Sequence, residues 1–218
     1  GDSAGAAEKL KALLAADPSY ETAYDLLRKA EYQMFLDLLT QSDDSEKVVK
    51  ALLKLAERGE MTRTRDEAAI RELADTAVHA TDYATRVGAV RELVQKHGEY
   101  AVPELYKFLG SNDTDERVNA VLALSELSLD AVMPLIEVLD IDDWRIQKGA
   151  ALVLQKIGDV RAIGGLASLA MHAENDAVKE AAGQAAASLA MTVGGDGMAE
   201  SLLNPADAYL WLTERYYE

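Results

Sequence analysis

Ala101-Val102-Pro103-Glu104-Leu105-Tyr106-Lys107-Phe108-Leu109 returns further along the chain as Ala131-Val132-Met133-Pro134-Leu135-Ile136-Glu137-Val138-Leu139. It returns again as Ala162-Ile163-Gly164-Gly165-Leu166-Ala167-Ser168-Leu169-Ala170. The stretch before each copy repeats too: Ala89-Val90, Ala120-Val121, Ala150-Ala151 and Ala181-Ala182 follow at spacings of 31, 30 and 31. Leu93, Leu124 and Leu154 keep the same register. A short helical unit cannot bury its own apolar face and must stack on a copy of itself. From Tyr83 to Leu189 the period therefore predicts stacked antiparallel helical hairpins, an α-solenoid wound as a right-handed superhelix. No stretch alternates apolar and polar residues with a period of two, so the fold class is all-α.

The 218 residues are 49% hydrophobic and 28% charged, enough apolar content for a core that is mainly aliphatic and alanine-based. Lys and Arg number 22 against 38 Asp and Glu, a net charge of −16. Nucleic-acid affinity rests on cations that neutralise phosphates, and this chain has no basic run, so nucleic acid is not an expected partner. The acidic balance suits solubility or a basic protein partner. With no cysteine, disulfides, thiolate zinc sites and cysteine nucleophiles are excluded. No apolar run approaches the ~18 residues of a spanning helix. The opening Gly1-Asp2-Ser3-Ala4-Gly5-Ala6-Ala7 fits a linker left by a removed export or lipid-anchor signal as well as a cloning boundary. Localisation thus stays open between cytoplasm and cell envelope.

Three regions follow. Residues 1–80 read as helices outside the later period. Ala6 to Ala16 carries Leu10, Leu13 and Leu14 and stops at Asp17-Pro18; Ser19 caps a helix running to about Leu39, with Leu26, Leu27, Ala30, Met34 and Leu38 on one face. Asp43-Asp44-Ser45-Glu46 opens a third helix that Gly59 ends, and Asp66 opens a fourth with Ala69, Ile70, Leu73 and Ala77. Residues 81–203 are the repeat array, with turns at Gly98-Glu99, Leu129-Asp130 and Gly158-Asp159 and a reduced last helix at Met198–Leu203. Residues 204–218 form a C-terminal capping helix with Pro205 in its first turn. Tyr209, Leu212 and Tyr216 of that helix would fill the space left by Ala181, Ala182, Ala185, Ala186 and Ala187. The alternative is that this helix begins another repeat.

Asp142-Asp143-Trp144-Arg145-Ile146, Ala150-Ala151, Leu154, Ile157-Gly158-Asp159, Ala162-Ile163 and Leu166 resemble a HEAT repeat of the short type named for phycobilisome lyase proteins. Arg117-Val118 with Ala120-Val121, and Arg86-Val87 with Ala89-Val90, follow the same pattern. The resemblance covers about half the chain and implies fold more than function, since the family spans scaffolds, adaptors and a few enzymes. Separately, Leu14-Ala15-Ala16-Asp17-Pro18 through Ala23-Tyr24-Asp25-Leu26-Leu27 resembles the junction between two tetratricopeptide repeats.

No constellation names a reaction, and no cofactor is expected. Asp113, Asp115 and Glu116, then Asp140, Asp142 and Asp143, then Glu174 and Asp176 recur between units. Acidic residues there suit free N–H groups and the positive ends of helix dipoles. A calcium loop would need Gly where Asp140-Ile141-Asp142-Asp143-Trp144-Arg145 has Arg145. His79, His97 and His172 fall at or near the ends of different helices and read as solvated or capping residues rather than metal ligands. The family's di-iron hydroxylases rely on His-Glu pairs, which are missing. Ser125, Ser168 and Ser188 sit inside helices, away from any nucleophile elbow. Gly194-Gly195-Asp196-Gly197 lacks the Lys of a phosphate loop and reads as a turn.

By the resemblance, the second helix of each unit lines the concave side of the stack. Its lateral columns would be Pro103, Met133 and Gly164; Tyr106, Ile136 and Ala167; and Lys107, Glu137 and Ser168. Gly164 and Gly165 would either leave a shallow spot for a peptide or allow close helix packing. The expected function is a non-catalytic scaffold or adaptor holding a protein or peptide, basic by charge balance, on Pro103, Tyr106, Lys107, Met133, Ile136, Glu137, Gly164 and Ser168. Two other readings stay open: a bilin-lyase-like or other enzyme accessory subunit, and a structural spacer of a longer envelope-associated protein.

Overall fold

The computed structural model describes residues 3–29, 32–193 and 196–217, and helices form it throughout, with no strand among those residues. The chain divides into two compact units, Gly1–Asp66 and Glu67–Glu218, each with its own core.

In the first unit, α1 (Ser3–Ala15), α2 (Tyr20–Lys29) and α3 (Tyr32–Gln41) gather on the long α4 (Asp43–Thr64). Positions 30 and 31, where the pattern predicts one continuous helix, lie outside the described residues, as does the side chain of Met34. Ser19 caps α2 as expected, its Oγ accepting from the Thr22 N–H at 3.2 Å. Gly59 does not end the third helix: α4 runs on for another turn and more. Its missing side chain serves packing instead, because a Cβ there would strike the Tyr20 backbone at the start of α2. Leu10, Phe35, Leu38, Val49 and Leu52 fill the core.

The second unit is the array. First helices are α6 (Tyr83–Lys96), α8 (Thr114–Glu126), α10 (Trp144–Ile157) and α12 (Asp176–Ala190). The second helices are a 3-10/α composite over 98–110 containing α7 (Val102–Leu105), then α9 (Leu129–Val138), then α11 (Ile163–His172) entered by a 3-10 turn at Val160–Ala162. The short α13 (Asp196–Ser201) touches α12, and α14 (Pro205–Tyr217) closes the chain. Leu93, Leu124 and Leu154 are fully buried, as are Leu105, Leu135 and Leu166 on the second helices. The repeat read in the sequence is the repeat of the core.

The array starts earlier than position 81. Helix α5 (Glu67–His79) buries Ile70, Ala74 and Val78, which stand one period before Ala101, Leu105 and Leu109, and those are buried too. Within Glu67–Glu218 it stands where a second helix stands, and it packs along α6 as α11 packs along α12. The extensive antiparallel pairs thus form across the acidic turns rather than within the units as delimited by those turns.

Asp82, Asp113, Asp143 and Asn175 stand at the N-caps of the four first helices, accepting from the N–H groups of Thr85 (2.8 Å), Asp115 (2.7 Å), Arg145 (2.8 Å) and Ala177 (2.9 Å). Each such cap is worth about 1 kcal/mol over Ala. Asp113 and Asp143 therefore do the capping expected of the acidic turns; in the last turn Asn175 does it rather than Glu174 or Asp176. The cap positions also correct the register: their spacings are 31, 30 and 32, so Ala182, fully buried, and not Ala181 answers to Ala150.

Ser128 and Gly98, one period apart, occupy the same place before their second helices with φ of +54° and +53°. Glycine adopts that conformation freely, whereas a side chain makes it strained.

Candidate functional site

The second helices present the expected columns unequally. Pro103, Lys107, Met133 and Glu137 are exposed, while Tyr106, Ile136 and Ser168 are half-buried and Ala167 is buried. Lys107 Nζ is paired with Glu104 Oε1 at 2.8 Å, and the Ser168 carbonyl lies 2.9 Å from Nδ1 of His172.

Gly164 is buried. A Cβ there would stand 2.9 Å from the ring of Tyr209, which reaches down from α14. Gly165 instead receives Ile136 and Leu139 from α9 and its C-cap, 3.3 and 3.2 Å from its Cβ position. Gly164 serves close packing and leaves no shallow spot, whereas Gly165, beside Ile136, lines an open notch. Helix α14 packs on α11, not on the alanines of α12. It buries Ala208 and half-buries Trp211 and Leu212, with Tyr209 half exposed; the side chain of Tyr216 lies outside the described residues. A 260 Å³ notch remains between α9 and α11, walled by Asp140, Gln147, Ser168, His172 and Tyr209 among others.

The first helices carry the larger apolar surface. Tyr83, Val118, Leu122, Trp144 and Leu152 are 72, 51, 47, 43 and 40% exposed. They edge two grooves at successive helix pairs. One, of 420 Å³, runs between α6 and α8 and includes Tyr83, Arg86, Val90, Arg91, Leu122 and Glu126. The other, of 530 Å³, runs between α8 and α10. The spacing Val118/Leu122 on α8 and Trp144/Lys148/Leu152 on α10 puts each set on one side of its helix. Sequence reasoning passed over this face because the repeat drew attention to the second helices; the signal was present in apolar residues that the buried ladder does not use.

The charged turns also meet, with Asp140, Asp142, Asp143, His172 and Glu174 around a polar notch. Among the described residues no three His, Asp or Glu side chains converge as a metal site would require. The histidines are scattered. His97 is buried at the C-cap of α6 rather than solvated, its N–H donating to Leu93 O. His79 is exposed at the end of α5, as expected, but it also lies between Asp75 (2.8 Å) and Glu116 (3.1 Å), with its ring edge against Phe108. Hydrogen bonding to Glu116, then to Asp75, raises its pKa against the opposing effect of burial. Every fully buried side-chain N or O among the described residues has a hydrogen-bond partner. Gly194 and Gly195 of the glycine-rich turn lie outside those residues. No described helix is long and apolar enough to cross a membrane.

No curated protein matches this chain. Residues 102–187, which run from α7 into α12, match the family model for HEAT repeats.

Proposed function

We propose that the array is a non-catalytic interaction scaffold for a protein partner. HEAT repeats in general hold proteins, and the observation that carries the reading here is the row of large apolar side chains on the first helices. A self-sufficient surface scatters such residues singly; grouped along a groove they mark a place where another molecule sits. A basic partner on the second-helix face is the second reading. It is supported by exposed Glu137 and Asp140 beside Met133, which is 52% exposed.

Two surface variants of the full chain separate these readings: Leu122→Asp with Leu152→Asp on the first helices, and Met133→Asp with Glu137→Lys on the second. All four positions are exposed, so both variants should melt as the native chain does. Partner capture lost in the first variant and kept in the second puts the interface on the first helices, and the reverse outcome puts it on the second. Capture unchanged in both would end the scaffold reading for this array.

A further inference from the structure

We propose that the groove between α8 and α10 docks an acidic peptide segment bearing large apolar side chains. The proposal rests on the scaffold reading and assigns a partner chemistry to one of its faces. That chemistry is opposite to the one net charge suggests.

The groove floor is apolar. Gly149 lets α10 approach so closely that a Cβ there would meet Leu109 at 3.0 Å, and Leu109, Val121 and Gly149 line the bottom while Val118, Leu122, Trp144 and Leu152 form the walls. The charged residues of the lining are Arg117, Arg145 and Lys148, and no carboxylate lines it. In a chain with 38 acidic side chains against 22 basic ones, three cations and no anion around one groove is a local reversal of sign.

Those cations are not neutralised. Arg117 donates to neutral acceptors: Ser111 O at 2.8 Å, Asp113 O at 3.1 Å and Thr114 Oγ1 at 2.8 Å. The Arg145 guanidinium lies over the Trp144 ring, 4.8 Å from its centroid. Neither of these, nor Lys148, forms an ion pair with a carboxylate of the described residues. The neighbouring α6–α8 groove differs in having Glu126 on its wall.

Range decides which charge a ligand feels. At physiological ionic strength the screening length is about 8 Å, so a bound segment senses Arg117, Arg145 and Lys148 more than carboxylates on other faces. The nearby Asp113 and Asp143 are engaged by the first N–H groups of α8 and α10. Apolar side chains on the floor would supply affinity, and carboxylates on the flanks would supply orientation and partner choice. A lipid surface fits less well: the apolar residues line a recess, and a net charge of −16 opposes approach to an anionic bilayer.

The test is fluorescence anisotropy on the full chain with two labelled peptides, Glu-Asp-Asp-Leu-Phe-Asp-Leu-Leu-Glu-Glu and the same sequence with Lys at every acidic position. The acidic probe should bind saturably, and the basic one should not. Arg145→Glu with Lys148→Glu should weaken the acidic probe about tenfold or more, as loss of close charge pairs does. Leu152→Asp should weaken it with the cations intact, and added salt should weaken binding to the native chain but not to Arg145→Glu with Lys148→Glu. No saturation below about 1 mM, or equal binding of both probes, would overturn the proposal. So would capture of phosphatidylserine vesicles in place of the peptide. Failure of the probe while Leu122→Asp with Leu152→Asp still abolishes partner capture would reject the acidic chemistry and leave the scaffold reading standing. Failure of both would remove both.

Discussion

At the scale of single residues, His79 shows what the repeat pattern hides. It closes α5 and reaches Glu116 in the first turn of α8, 37 residues away in the chain. Its pKa is raised above 6.5, so the folded state holds the proton more tightly than the unfolded one. That contribution is complete below the unfolded pKa and is lost as pH rises through the raised folded value. Glu116 is held below 4.5 by the Ser111 hydroxyl and then by His79; its share is present above 4.5 and is lost as pH falls through the lowered folded value. The clasp is therefore strongest in mildly acidic solution. Melts at pH 6 and pH 8 should show a small fall in Tm with rising pH, and His79→Gln should flatten that difference; an equal fall in both proteins would mean the clasp adds nothing. The cap residues Asp113 and Asp143 were legible from sequence because a cap is set by its own next three residues. The His79–Glu116 pair was not, because it depends on how α5 lies against α8.

At the scale of elements, what could be read followed the strength of the apolar signal. Leu93, Leu124 and Leu154 anchor their helices without ambiguity. In α12 the run of alanines offers no such anchor, so the apolar pattern alone misplaces the register by one position and only the Asn175 cap fixes it. Helix α5 escaped the period because Ile70, Ala74 and Val78 share no residue type with their counterparts Ala101, Leu105 and Leu109. The C-terminal helix was legible as a helix but not by its seat, which is the Gly164 face of α11. That seat makes a prediction. Gly164→Val would put side-chain atoms where the Tyr209 ring now lies, 2.9 Å from the Cβ position. The ring is the mobile end of a half-exposed side chain, so α14 should lift while the array stays folded. In a Trp144→Phe background Trp211 is the remaining tryptophan, and its emission should move to the red with little change in the main melt. Unchanged Trp211 emission would place the seat of α14 elsewhere.

At the scale of the whole molecule, the two cores set how a lesion spreads. Within Glu67–Glu218 the buried residues form one continuous cluster from Ile70 to Ala208. Stacked repeats owe most of their stability to the interfaces between units, so damage to one ladder position reaches its neighbours. Leu154 is fully buried in that cluster, and Leu154→Asp would bury a charge with no partner, a cost of about 4 kcal/mol or more. Both tryptophans, Trp144 and Trp211, belong to this unit, so their fluorescence reports on it alone. The variant should lose the tryptophan transition as a whole at ordinary temperature, at both ends of the array together. Far-UV circular dichroism should keep the share of helix that Gly1–Asp66 contributes, because its core of Leu10, Phe35, Leu38, Val49 and Leu52 is separate. A tryptophan melt like that of the native chain would show that Leu154 is not in the inter-repeat ladder. Loss of all helicity would show instead that the first unit has no stability of its own.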